Sequence, residues 1–391
     1  MSQPVIVCDI QTTATDVWQR AGYQTMVIQE CSPELSAALV EQVAEIERFV
    51  IDIPIETWRN EIARRLGRHR CQWVFGAATA DETAAAIAEA QTWPVEGVIT
   101  VADMDADIDT IHREGLRPGL STGWASLDRY FTVSPGRVTV IGGSPTHGKS
   151  EIAEALFINL TLHHGWKFAL YSPEHEPYAL HFSRLASKMS AEPMRNGFNG
   201  HPKMSTETLE KCKDLIGRHY FWMAAGKDGM TFDRLVDMAE QMVVAHGIQA
   251  LVIDPWNELT LPREPGINET ETIGECLRRL KRLSRSTGLH VFILAHPNKM
   301  QRDKRTGQYP PPSLYDLAGS AHFRNRVDWG ITVYRPSFKA GADAVDIIIG
   351  KAKWRHEGTT GACKLRFLPW SGQYADDLPQ GADWDDQGAS K

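Results

Sequence analysis

The stretch Gly142-Gly143-Ser144-Pro145-Thr146-His147-Gly148-Lys149-Ser150, written GGSPTHGKS, decides how the rest of the chain is read. From Gly143 to Ser150 it fits the spacing G-x-x-x-x-G-K-[ST], whose glycines let successive backbone N–H groups turn inward as a nest for an anion. It follows the apolar run RVTVIG (137–142) and opens KSEIAEALFINL (149–160), so strand, loop and helix are expected in that order. A helix that begins at such a loop directs its dipole at phosphate oxygens. Gly143, Ser144, Pro145, Thr146, His147, Gly148, Lys149 and Ser150 are therefore the expected nucleotide cradle. Lys149 is expected to reach the β- and γ-phosphates, and the Ser150 hydroxyl to ligate Mg2+.

Beyond this loop, apolar runs alternate with amphipathic stretches: KFALYS (167–172), HYFWMA (219–224), ALVIDP (250–255), HVFILAH (290–296), GITVYR (330–335) and VDIIIGKAK (345–353). That alternation predicts an α/β fold with a largely parallel sheet flanked by helices, its functional residues just beyond the carboxyl ends of the strands. Glu174, in the turn Pro173-Glu174-His175-Glu176-Pro177, is placed to orient and deprotonate an attacking water, with Glu176 the lesser candidate. Asp254 stands where a carboxylate completes a magnesium shell begun by Ser150. His296 is placed to feel a γ-phosphate and pass its presence to the following loop.

That loop, NKMQRDKRTGQYPPPS (298–313), is basic and lacks apolar periodicity, as a polyanion-gripping loop would. The segment DLAGSAHFRNR (316–326) adds Gly319, Ser320 and Arg324 as phosphate-contacting candidates. In KAKWRHEGTTG (351–361), Lys353 and Arg355 are two apart, which on a strand would put both cations on one face, as for an arginine finger entering a neighbouring subunit's site.

The bulk composition excludes other classes. The 391 residues suffice for roughly two or three domains, and 42% hydrophobic with 23% charged is ordinary for a globular chain. The six cysteines contain no CxxC pair, which argues for a reducing compartment and against a zinc module. No apolar run is long enough for a membrane helix, and no signal pattern opens the chain, so a cytoplasmic protein is expected. A net charge of −7 means that any nucleic-acid contact must be local. From Asp376 to Asp386 run five aspartates and no base, expected as a solvated tail with docking to partner proteins as a further role.

In order along the chain, GLSTGWASLD, GGSPTHGKS, YSPEHEP, LVIDPWNE, ILAHPNK, DLAGSAHF and KWRHEGTTG resemble the RecA-like motor domain of DnaB-type ring helicases, nearest to Twinkle-like helicases and phage primase-helicases. The resemblance implies a RecA-like P-loop NTPase core over 119–374, assembled as a hexameric ring that hydrolyses ATP or dTTP with Mg2+ and translocates on single-stranded DNA. It implies Lys149 and Ser150 as phosphate and magnesium residues, Glu174 as catalytic base, Asp254 as the Walker B acid, His296 as sensor, and Lys353 with Arg355 as the pair donated from the adjacent subunit. Asn298, Lys299, Ser320 and Arg324 would fall in channel-lining loops that contact DNA, Arg324 alternatively facing the nucleotide base. Residues 93–118, with Ile108, Ile111 and Leu116 on one side, resemble the linker helix that packs on a neighbouring subunit. A replicative role in a phage-infected or prophage-carrying bacterium is implied as well, with replisome proteins as partners of the 375–391 tail.

Residues 1–92 resemble a shortened TOPRIM domain over VIVCDIQTTATDVWQRAGYQ and ERFVIDIPIETWRNEIARRLG. Cys8 falls where that domain carries its catalytic glutamate, and Val50-Ile51-Asp52 replaces its Asp-x-Asp. Two-metal chemistry needs clustered carboxylates, so primase activity is not expected. Two other classes share the P-loop and sheet: a RecA-like recombinase or loader, and a nucleotide-gated assembly ATPase. The linker helix and the Lys353/Arg355 pair favour a closed ring over the first, the basic loops favour DNA binding over the second.

Overall fold

Short apolar runs separated by polar, glycine-containing turns produce two sheets. The computed structural model describes residues 3–9, 14–28, 43–75, 79–93, 97–196, 200–226, 229–263, 265–266, 268–297, 302, 309–317, 320–338 and 343–377. Two units divide the chain, Met1–His112 and Arg113–Lys391.

The first unit contains β1 (Val5–Asp9), α1 (Ala14–Arg20), β2 (Thr25–Ile28), β3 (Phe49–Asp52), α2 (Glu56–Leu66), β4 (Cys71–Trp73) and α3 (Thr83–Ala88). Its sheet is parallel, in the order β2-β1-β3-β4. Alternate residues of β1 and β3 face opposite ways. Val5, Val7, Phe49 and Ile51 pack on Ile62 and Leu66 of α2, whereas Ile6, Cys8 and Val50 pack on Trp18 of α1. Cys8 is paired in register with Asp52. Asp52 is buried and accepts a 2.7 Å hydrogen bond from the Trp18 indole. Burial, reinforced by Asp52, pushes the Cys8 thiol up to about 12. The linker helix α4 (Asp105–Glu114) straddles the boundary between the units, with Ile108 and Ile111 exposed; Leu116 lies beyond its end.

The second unit runs α5 (Ala125–Asp128), β5 (Val138–Gly142), α6 (Lys149–His164), β6 (Phe168–Tyr171), α7 (Tyr178–Ser190), α8 (Thr206–His219), β7 (Tyr220–Trp222), α9 (Phe232–His246), β8 (Ala250–Ile253), α10 (Glu269–Thr287), β9 (His290–Ala295), α11 (Ser320–Arg326), β10 (Trp329–Tyr334), β11 (Ala344–Ala352), β12 (Gly361–Leu368) and β13 (Gln373–Asp376). The sheet order is β13-β12-β11-β10-β5-β9-β8-β6-β7. From β7 to β10 every pair is parallel, and these strands are the near-continuous apolar runs that burial on both faces requires. Helix α6 covers one face through Ile152, Leu156 and Phe157, while α9 and α10 cover the other through Leu235, Leu277 and Leu280. Among the described residues no helix is long and apolar enough to cross a membrane.

Beyond β10 the sheet turns antiparallel, and β12 and β13 were not anticipated. Their sequences alternate exposed and covered residues on a half-buried edge, a weaker signal than an apolar run. The acidic tail also begins later than its composition indicates. Asp376 lies in β13, where its carboxylate accepts from the Ala125 and Ser126 backbone N–H groups and from the Ser126 hydroxyl, capping α5 from 250 residues away. The rest of the tail, from residue 378, lies outside the described residues.

His290 opens β9 wholly buried, its Nδ1–H donating to the Ser134 carbonyl (2.7 Å) and its Nε2 accepting from the Thr139 hydroxyl (2.9 Å). Burial depresses its pKa from 6.5 to about 4. Between those values the unfolded chain binds the extra proton, so stability is fully present above about 6.5 and falls as pH drops toward 4. Urea midpoints should decline across that window, with a contribution from this ring of about 3 kcal/mol at most. A His290→Asn variant should be less stable at pH 7 but show a shallower decline; an unchanged slope would assign the effect elsewhere.

Candidate active site

Parallel pairing sets β5, β9, β8 and β6 side by side, so the residues just past each strand land at one edge of the sheet. Gly142 pairs with Ala295, and Ile253 pairs with both Ile293 and Tyr171. Lys149 and Ser150, Glu174, Asp254 and His296 thereby meet from four distant stretches of chain.

The cradle is shaped by backbone demands. A Cβ on Gly143 would stand 2.7 Å from the Val333 carbonyl oxygen and 2.9 Å from Lys149 Cγ, so no side chain fits there. Gly148 (φ +88°) takes the left-handed conformation that ends the loop and starts α6, and Thr146 (φ +67°) shares that region at the exposed tip beside Pro145. Gly143 and Ser144 are buried. His147 is buried between Tyr334 and Phe338, and its Nδ1 accepts the Arg335 backbone N–H at 3.0 Å. Burial first, then Lys149 and Arg335, lower its pKa.

Lys149 is 7% exposed; its Nζ donates to the Gly143 carbonyl (3.0 Å) and to His296 Nδ1 (3.1 Å). Burial lowers the ammonium's pKa, while Asp254 and Glu174 work to keep its charge. The His296 ring, its pKa lowered by burial and by Lys149, is neutral: Nδ1 accepts from the lysine and Nε2–H faces Glu174 Oε1 at 3.9 Å. The His296 backbone N–H donates to Asn257 Oδ1 (3.3 Å), which ties the tip of β9 to the turn after Asp254. Burial pushes the Asp254 carboxyl up to about 6 against the opposing hydrogen bond from the Ser150 hydroxyl. Glu174 is half exposed in the turn Pro173–His175. Glu176 is turned away, accepting from the Tyr178 hydroxyl at 2.9 Å. A cavity of about 690 Å³ lies beside this cluster between the turn after β8 and α10, lined by Trp256, Asn257 and Thr272.

A hydroxyl and a carboxylate in contact are hard oxygen donors, so Ser150 and Asp254 fit a magnesium ion.

Lys353 and Arg355 are at the other edge. Strand β11 runs antiparallel to β10 and ends at Ala352, which pairs with Trp329, itself paired with Thr139 at the start of β5. The two cations come next, in a turn rather than on the strand, because the Lys353 N–H bonds the Asp328 carbonyl (3.2 Å) and Trp354 folds under the Arg137 guanidinium, 4.2 Å from its ring centroid. Their own P-loop begins three residues further along β5, about 10 Å away at strand rise. Asn298 and Lys299 lie outside the described residues, as does Gly319. Ser320 and Arg324 belong to α11, not to a loop: Phe323 and Val327, four apart, pack into the core, Phe323 against Trp256. The Arg324 guanidinium lies 4.6 Å over the Tyr315 ring, and its carbonyl accepts from Lys351 Nζ.

Three groups escaped sequence reading. Arg335 closes β10 beside His147, a cation at a strand tip that could have been noticed. Asp328, 1% exposed, accepts from the Val138 N–H (3.2 Å) and Lys281 Nζ (2.8 Å), with Lys353 Nζ at 3.6 Å. Glu154 is an acid inside the continuously buried run Ile152–Ile158 of α6; that mismatch was its signal.

Residues 119–376 match the family model described as DnaB-like helicase C terminal domain. The chain is 33% identical over 349 residues to the Twinkle homolog protein, chloroplastic/mitochondrial, of Arabidopsis thaliana, covering 83% of this chain and 48% of that protein. It is 26% identical over 279 residues to a probable plasmid replicative DNA helicase of Chlamydia psittaci, covering 68% and 58% respectively. The chain thus spans about half the length of the curated relatives it matches. In fold it is similar to a DnaB-like replicative helicase solved for its interactions with primase (TM-score 0.55, 20% identity, 75% of this chain and 70% of that one). It is similar also to a separately solved ATPase domain (TM-score 0.56, 20% identity, 72% and 99%). With its strand order, its P-loop and two thirds of its length inside that model, the chain belongs to the DnaB-like helicase C-terminal domain family.

Proposed function

We propose that this chain is the motor subunit of a replicative DNA helicase, hydrolysing ATP or dTTP in a ring that translocates on single-stranded DNA. The observation that carries this reading is the separation of the site into two halves at opposite edges of one sheet. Lys149, Ser150, Glu174, Asp254 and His296 gather at the carboxyl edge, whereas Lys353 and Arg355 stand at the amino edge, with Lys353 beside Asp328. Those two cations serve a nucleotide only when a second copy presents its own P-loop to them. A ring satisfies that need for every subunit.

Within one half-site, backbone N–H groups of the 143–148 loop and Lys149 bind the phosphates, and Ser150 with Asp254 hold Mg2+. When bound, that ion neutralises charge on the β- and γ-phosphate oxygens. Glu174, exposed and free to face solvent, orients a water and accepts its proton. His296 bridges Lys149 and Glu174, so a change at the γ-phosphate alters its contacts and reaches the basic segment from residue 298, which we assign to DNA together with Ser320 and Arg324. The exposed Ile108 and Ile111 of α4 offer an apolar face to the adjacent subunit. Among the described residues of the first unit, Cys8 stands opposite an Asp52 already bound by Trp18, which supports a scaffold role rather than two-metal primase chemistry. The aspartates beyond residue 377 are suited to basic replisome partners in a host cytoplasm.

Glu174→Gln should retain nucleotide binding, measured with a fluorescent ATP analogue, while lowering kcat by about 10²–10⁴. A full-rate Glu174→Gln protein would remove its role as base. Arg355→Ala should lower single-stranded-DNA-stimulated turnover by about 10³. Adding Lys149→Ala subunits to native protein should inhibit it more than in proportion to their fraction. Turnover indifferent to DNA and to Arg355 would sink the helicase reading in favour of an assembly ATPase.

A further inference from the structure

Glu154 has no part in the chemistry above, yet it is the most thoroughly buried acid near it. It comes four residues after Ser150 on α6, so the two side chains share a face of the helix. It is 3% exposed. Its Oε2 receives Lys188 Nζ (2.9 Å) and Arg184 Nε (3.2 Å). Its Oε1 lies 3.4 Å from His181 Nε2 and 3.0 Å from Arg184 Nη2, but among the described residues it has no hydrogen bond of sound geometry. Beside Glu154 is a small cavity of about 10 Å³, lined by Ser150, Ser172, His181 and Asp254 and walled by Phe157, Leu185 and Val252. A cavity of this size has room for one water, which needs two or more polar partners on its otherwise largely apolar wall. Glu154 Oε1 and the Asp254 carboxylate are acceptors for its two O–H groups; the Ser150 and Ser172 hydroxyls on the same wall are already engaged, by Asp254 and by His175 Nδ1 (2.6 Å).

We infer that Glu154 is a positioning residue for Ser150 and Asp254, acting through a single water held in this cavity. The His175 ring already spans the two carboxylates, its Nε2 3.7 Å from Glu154 Oε1 and its Nδ1 3.9 Å from Asp254 Oδ2; beside it, the water would hold the Asp254 oxygens toward the divalent-cation position. Lys188 and Arg184 keep Glu154 ionised, so its pull on that water is constant. A metal in place of the water is disfavoured. The His175 and His181 rings are stacked, 4.6 Å apart and 29° from parallel, so their in-plane lone pairs do not converge on one point. The Trp222 indole donates to His181 Nδ1 (3.1 Å), which places the ring proton on the Nε2 that faces Glu154. The inference rests on the nucleotide site proposed above.

The test measures binding of a fluorescent ATP analogue to the full chain, with Mg2+ titrated and with EDTA. Val252→Ile adds one methyl to the cavity wall without touching any charge, and Glu154→Gln removes the charge at constant volume. Each should raise the Mg2+ concentration needed for half-maximal binding by about tenfold or more, leaving affinity in EDTA and, for Val252→Ile, the thermal midpoint unchanged. Unchanged Mg2+ dependence in both, or equal loss with and without Mg2+, would overturn the inference. So would zinc that remains with the native chain after dialysis and is lost from His181→Gln. Lys149→Ala is the control. If it keeps full affinity, the nucleotide site itself has failed; if only Lys149→Ala loses affinity, the site stands and the role of Glu154 does not.

Discussion

A buried ammonium organises this molecule. Lys149 leaves water almost entirely, and a lone charge in that position would cost far more than a single contact returns. It is tolerated because acceptors arrive from separate strands: the Gly143 carbonyl from its own loop and the His296 ring from β9, with the charges of Asp254 and Glu174 behind them. Each of those groups depends on parallel pairing at fixed register. A slip by one residue would turn the tip residue of a strand to the opposite face and leave the lysine unpaired. Register of the central sheet and integrity of the phosphate cradle are therefore one constraint.

The same sheet separates the two groups of candidate site residues. Parallel strands collect their carboxyl ends, and so Lys149, Ser150, Glu174, Asp254 and His296, at one edge. The antiparallel return of β11 carries Lys353 and Arg355 to the other. There Asp328 ties the start of β5, helix α10 and the turn bearing Lys353 into one unit. Burial works against its charge, but Lys281 and the Val138 N–H hold its carboxyl below the usual range. The two exposed cations thus follow directly on this anchored turn, at the opposite edge of the sheet from the P-loop.

Behind the reacting edge, Glu154, His181, Lys188 and Arg184 form a second charged layer, shielded by Phe157 and Leu185. Lys188 also reaches Glu151 (2.5 Å), and its carbonyl accepts from Gln373 of β13 (2.8 Å). Since Asp376 of β13 caps α5, the last strand is joined both to the entrance of the unit and to the layer behind its site.

What could be read from the sequence was what repeats locally or depends on neighbours in the chain. The G-x-x-x-x-G-K-[ST] loop, the apolar runs of the parallel strands and the acids just past them each carry a local signature, because a strand buried on both faces carries few polar residues and no charged side chain until it ends. Ser144, His147 and the turn at Glu174 were placed by the same logic. The amino-edge position of Lys353 and Arg355, the helical rather than looped setting of Ser320 and Arg324, the strand at Asp376, and the cluster around Glu154 were not legible. Each depends on partners far off in sequence: Trp329 and Asp328 for the first, Trp256 for Phe323 of α11, Ser126 for Asp376, and Lys188 with His181 for Glu154. Local periodicity decides that a strand or helix forms. Only long-range packing decides which edge it points to, and which buried charge it must meet.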